Sequence, residues 1–230
     1  MKQKGEGLLS IRTQDGLAIN IRNNIWDAKI VHEMFVQKPY LKHVILPKNP
    51  VVIDIGGYIG DFALYAAHTL KARRVLVFEP TLENYTILKK NVADNGLGDK
   101  IEAFNMAVSN SPEILLNVET SEHGEIHVSS FWYEGAVQRR VPATTIPAIL
   151  AANNLDCVDL LKVDCEGAEY DIFDITPDDC LNKFSNIVFE CHKVDRWEPR
   201  LAETLARLTS LGFSVVRDRM IVSAWRGVSR

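Results

Sequence analysis

Carboxylates and glycines close several apolar runs of this chain, and one stretch crowds three acids into six residues. Val51-Val52-Ile53-Asp54-Ile55 leads into Gly56-Gly57-Tyr58-Ile59-Gly60, and Phe62 to Leu70 follows with helical spacing. A β-branched run, closely spaced glycines and a helix form the first half of a nucleotide-binding βαβ unit. Gly56 allows the sharp turn, and Gly60 lets the helix start approach a ligand whose space a Cβ would fill. The first N–H groups of such a helix lack helical partners and can face polar ligand atoms. The spacing does not suit a pyrophosphate, because Tyr58 stands where the dinucleotide fingerprint has its second glycine. Asp54 would repel phosphate there but suits a cationic ligand.

Glu79-Pro80 closes a second apolar run, Arg74 to Phe78, and Glu79 lies 25 residues beyond Asp54. An acid at that distance grips a ribose diol, its two oxygens accepting from vicinal hydroxyls. Asn105-Met106-Ala107, at the tip of a third run, would border an adenine. S-adenosylmethionine combines an ammonium, a sulfonium and an adenosine. It is therefore the expected ligand of Asp54, Gly56, Gly57, Tyr58, Gly60, Glu79, Pro80, Asn105, Met106, Ala107 and Asp164.

Val158 to Val163 ends in Asp164-Cys165-Glu166-Gly167-Ala168-Glu169, and Asn186 to Phe189 ends in Glu190-Cys191-His192. Such crowding of carboxylates perturbs pKa values and suggests function. Glu166 and Glu169 are spaced to share a helix face. Asp164, Glu166, Glu190 and His192 are the expected acceptor-facing, catalytic residues. His192 is the expected base near neutral pH, oriented by Asp164 or Glu190. Oxygen ligands can also hold a divalent metal, but the expected site uses none. His123 and His127 lack a third ligand.

The remaining elements position these tips. Leu8 to Arg12 and Leu17 to Ile21 alternate around Asp15-Gly16 as a hairpin, and Asn24 to Gln37 reads as a helix stopped by Pro39. This piece, residues 1–48, is expected to brace the sheet; residues 49–230 form the ligand-binding domain. Leu82 to Asn95 is helical and Ile101 to Val108 a strand. A β-rich insertion over about 112–145 carries Phe131-Trp132-Tyr133. Leu201 to Leu211 is a late helix, and two closing strands flank Arg217-Asp218-Arg219. The central strand should neighbour the fourth, and the fourth the fifth.

The chain has 230 residues, 47% of them hydrophobic, a length that supports a large core without staples. A net charge of −4 disfavours a whole-surface nucleic-acid binder. Four cysteines without a Cys-x-x-Cys pair read as reduced and buried. The N-terminal MKQKGEGLLS has no apolar core, and no run reaches the ~20 residues of a membrane span. A cytoplasmic chain is expected, its partner a small-molecule or sugar acceptor; a homo-oligomer is left open.

The order strand, glycine turn, helix, strand, Glu79-Pro80, then Asp164-Cys165-Glu166-Gly167-Ala168-Glu169, then Glu190-Cys191-His192, resembles the FkbM family of S-adenosylmethionine-dependent methyltransferases. The likeness runs from about Val51 onward. It departs where Gly57-Tyr58 replaces the family's usual Ala-Asn. The resemblance implies an α/β fold, a doubly wound, mostly parallel sheet of about seven strands with the last antiparallel. It also implies O-methylation of small molecules or sugars. An RNA or protein methyltransferase and a non-catalytic nucleotide-binding scaffold are the alternatives.

Overall fold

The computed structural model describes residues 7–120, 126–129, 137–192 and 194–227. The chain opens with a hairpin of β1 (Leu9–Arg12) and β2 (Ala18–Ile21), then α1 (Ile25–His32), capped by the Asn24 side chain on the Asp27 N–H. The helix expected through Gln37 changes pitch: Glu33–Gln37 is a π turn, and Lys38 ends it in the left-handed region at φ 52°. Pro39–Leu41 forms a single 3-10 turn that carries Tyr40 inward.

The main βαβ series follows. It runs β3 (Val51–Ile55), α2 (Asp61–His68), β4 (Arg74–Phe78), α3 (Leu82–Asp94) and β5 (Ile101–Phe104). The third expected strand does not run on to Val108. The Asn105 side-chain amide donates to the Glu79 and Pro80 carbonyls, and the chain turns there. β6 (Ala107–Val108) then joins a separate four-stranded sheet with β7 (Glu113–Thr120), β8 (Ile126–Ser129) and β9 (Val137–Thr144). β7, β8 and β9 are the strands expected of the insertion. Phe131-Trp132-Tyr133, His123 and the His127 side chain lie outside the described residues.

The chain returns through α4 (Ile146–Ala152), β10 (Leu160–Val163), α5 (Glu169–Ile175), α6 (Asp178–Leu181) and β11 (Asn186–Glu190). It closes with α7 (Val194–Ser210), β12 (Ser214–Asp218) and β13 (Ile221–Trp225). α7 begins earlier than its spacing suggested, running through Pro199 near its start, where one helical hydrogen bond is lost.

The central sheet has seven strands in the order β12-β13-β11-β10-β3-β4-β5, and β13 alone runs opposite to the other six. As expected, β3 neighbours β10 and β10 neighbours β11. Residues of β3 and β10 are buried on both faces, which explains their unbroken apolar runs. Val51, Ile53 and Ile55 pack with α4, α5 and α7, while Val52 packs with α2 and α3, following the period-two pleat. The helices therefore cover both faces. Leu17, Ile19, Val31, Met34 and Tyr40 share the second cluster with Phe62 and Leu64 of α2. That explains why α2 is buried from Asp61 to Ala67: sheet lies on one side of it and the N-terminal segment on the other. The cysteines are free, but only Cys191 is buried; Cys157 is exposed, since it sits in the loop before β10.

Candidate active site

The carboxyl ends of β3, β4, β10 and β11 converge on a cavity of about 1190 Å³, roofed by residues of α1 and the turns after it. Such a crevice is where open α/β sheets bind ligands. Of the residues expected to hold the cofactor, Gly56, Tyr58, Glu79, Pro80, Met106, Ala107 and Asp164 line it.

Asp54, Gly57, Gly60 and Asn105 do not. Asp54 is fully buried behind the wall, with the Lys162 ammonium 3.0 Å from its Oδ1. The two face one another across the β3–β10 register. Asn105 spends its amide on the bend described above. At each glycine a Cβ would meet protein atoms. A Cβ on Gly56, at φ 81°, would lie 1.6 Å from the Asp164 carbonyl oxygen. One on Gly57 would lie 2.2 Å from Val77, and one on Gly60, at φ 88°, 3.1 Å from Leu88. The Gly56 and Gly57 N–H groups both donate to the Phe78 carbonyl.

Lys162, unmarked in the sequence reading, is the buried cation of the site. It also donates to the Gly56 carbonyl at 2.7 Å and lies 3.7 Å from Asp164. Burial acts to lower its pKa, but Asp54, Asp164 and Asp61 together hold it above the usual lysine value. A lysine inside an otherwise apolar parallel strand was the available signal. Asp61, also missed, lines the cavity from the first turn of α2, and burial pushes its carboxyl up to about 7.

Glu79 is 5% exposed. Its Oε2 accepts from the Tyr58 N–H and its Oε1 from the Thr81 N–H. Burial outweighs those bonds and raises it to about 7. Tyr58 sits at φ 46°, and its hydroxyl donates to Asp27 Oδ1 at 2.7 Å. Asp27 is itself buried and paired with Arg22, whose guanidinium lies over the Tyr58 ring. Tyr58 thus fastens the ligand turn to the N-terminal segment.

On the opposite wall, Asp164 follows the last residue of β10 and Glu190 ends β11, with His192 two residues on. His192 Nε2 lies 3.9 Å from Asp164, 3.8 Å from Glu190 and 3.7 Å from Glu166. All four expected catalytic residues therefore meet. The orienting group is different from the one expected: His192 Nδ1 lies 2.8 Å from Oε1 of Glu169, which is fully buried and also accepts from the Cys165 and Gly167 N–H groups. Glu166 and Glu169 do not share a helix face, because α5 begins only at Glu169. Glu166, at φ 54°, stays exposed at the rim.

His192 does not keep an ordinary pKa. Burial opposes its charge, but the hydrogen bond and charge of Glu169, with Asp164 and Glu166, lift it to about 9. That shift favours the protonated imidazole at neutral pH and weighs against the role of base expected of it. Glu190 is pushed up to about 7 by burial and by Asp164, against His192 and Tyr40. Asp164, Glu190 and His192 offer ligand atoms within 4.8 Å of one another, close enough to share a metal ion. The protonated imidazole already supplies positive charge at that point.

This fold and site define a methyltransferase of the class I type. The Methyltransferase FkbM domain matches residues 54–215, and the chain belongs to that family. It is 27% identical over 205 residues to methyltransferase sdnD of Sordaria araneosa, covering 76% of this chain and 77% of that one. It is 23% identical over 226 residues to the 31-O-demethyl-FK506 methyltransferase FkbM of Streptomyces tacrolimicus, covering 85% of each. Among solved structures, methyltransferase FkbM of Methylobacillus flagellatus aligns with TM-score 0.54 and 13% identity over 85% of this chain, which spans 48% of that one. TYW2 of M. jannaschii in complex with AdoMet aligns with TM-score 0.52 and 11% identity over 99% of this chain and 90% of that one. At those identities both share the fold. No helix among the described residues is long and apolar enough to cross a membrane.

Proposed function

We propose that this methyltransferase uses S-adenosylmethionine to methylate a hydroxyl of a small molecule or sugar. One observation carries the reading: a single cavity has Glu79 and the glycine turn on one side and Asp164, Glu190 and His192 on the other. The cofactor fits the donor set. Glu79 lines the cavity and offers carboxylate oxygens as acceptors for a ribose diol, while the Tyr58 and Thr81 N–H groups hold it in place. Pro80, Met106 and Ala107 offer an apolar border for adenine, and Asp61 and Asp164 are acids for an ammonium. When bound, S-adenosylmethionine supplies an electrophilic methyl group. The chain supplies alignment and a place for the acceptor's proton. Glu190, half deprotonated near neutral pH, takes that proton in place of His192. Glu169 fixes the imidazolium, whose charge steadies the neighbouring carboxylates. The related enzyme of Streptomyces tacrolimicus, whose name specifies an O-demethyl substrate, supports oxygen as the acceptor atom.

Calorimetry with S-adenosylmethionine and S-adenosylhomocysteine tests the reading. Both should bind, and Glu79→Ala should weaken binding by ~1–3 kcal/mol, the cost of a lost charge-assisted hydrogen bond. Absence of binding by the unmutated protein would end it.

A further inference from the structure

Tyr40 stands outside every motif that marks the site, yet its hydroxyl lies between the tips of two strands. It is 2.7 Å from Asp164 Oδ2 and 3.2 Å from Glu190 Oε2. The phenol has one proton, so the two carboxylates share a single donor. The ring is 8% exposed, packs edge-on against Phe62 with centroids 5.8 Å apart, and has the Lys162 ammonium 5.5 Å from its centre. Its backbone is the middle of the Pro39–Leu41 3-10 turn, which left-handed Lys38 precedes.

We infer that Tyr40 is a positioning residue, which sets the separation of Asp164 and Glu190 and makes the N-terminal segment part of the acceptor site. This rests on the function proposed above. The groups facing Glu190 are Asp164 from the end of β10, Glu166 and His192 from the loops, and Tyr40 from the N-terminal segment. Two of these are acids that oppose its ionisation; Tyr40 and His192 favour it. A proton leaving the acceptor toward Glu190 enters an arrangement in which Tyr40 holds the second carboxylate, Asp164, by the same hydroxyl. The N-terminal segment is fastened a second time through Tyr58 and Asp27, so it contacts both walls of the cavity.

The test uses full-length protein labelled with [δ-13C]glutamate, with Glu190→Gln assigning the Glu190 carboxyl. Tyr40→Phe keeps the ring and its packing, so the melting temperature should stay within a few degrees. The Glu190 titration should move upward by half a pH unit or more, because a donor to the carboxylate is gone. S-adenosylhomocysteine affinity by calorimetry should stay within about threefold. With any hydroxylated acceptor that the unmutated protein methylates from tritiated S-adenosylmethionine, kcat should fall tenfold or more and its acid limb should move to higher pH. An unmoved Glu190 titration overturns the inference, as does an unchanged kcat. Failure of the unmutated protein to bind S-adenosylhomocysteine overturns the proposed function instead, and the carboxyl titration still decides the role of Tyr40.

Discussion

His192 shows how neighbours decide the role of a residue. A free imidazole suits a base at neutral pH; this one is held as a cation by Glu169, Asp164 and Glu166. Its folded pKa, about 9, exceeds the unfolded value near 6.5. The stability it contributes is therefore full below about pH 6.5 and is lost as pH rises through 9. A separation of that size corresponds to about 3 kcal/mol. Urea unfolding of the unmutated protein and His192→Gln at pH 6 and pH 9.5 should show the gap between them shrinking by an amount of that order. An equal gap at both values would mean that the imidazole is neutral in the fold. Glu169 could not be assigned this part from spacing alone. Its partner lies 23 residues away, and only the packing of α5 beside the end of β11 brings them together.

At the scale of elements, the turn after β3 is the most constrained. Gly56→Ala would drive a Cβ into the backbone of Asp164, and no side chain there can rotate aside. The variant should lose about 3 kcal/mol or more, or fail to fold. Gly96 is the control, because it shares a positive φ but has nothing near its missing Cβ. Gly96→Ala should cost only ~1 kcal/mol, the strain of a left-handed residue. Equal losses in the two variants would show that strain, not the contact, makes Gly56 necessary. The strands were legible because carboxylates close apolar runs, and a parallel strand buried on both faces cannot hide its composition. The break at Asn105 was not legible, since it depends on carbonyls 25 and 26 residues back in the chain. Nor was Tyr40, whose partners lie 124 and 150 residues away. A terminal helix reads the same whether it braces a sheet or reaches into its cleft.

Over the whole molecule, charge is divided unevenly. Several described basic residues toward the C-terminus are held in ion pairs. Arg200 pairs with Asp171 and Asp174, Arg207 with Asp178, and Arg217 with Glu198. At the strand tips in the cavity Asp61, Glu79, Asp164 and Glu190 stand beside Lys162 and His192, while Lys29, Lys38, Lys42 and Arg219 also line it. Under the proposed function this wall treats the two forms of the cofactor differently. Methyl transfer turns a sulfonium into a thioether, so the spent molecule carries one positive charge fewer than the fresh one. The same acids that draw in the charged form hold its product less strongly, and each turnover weakens the grip on what must leave. Salt screens this preference. The dissociation constant of S-adenosylhomocysteine relative to S-adenosylmethionine should therefore fall as ionic strength rises, and a ratio indifferent to salt would mean that the acids serve only the acceptor.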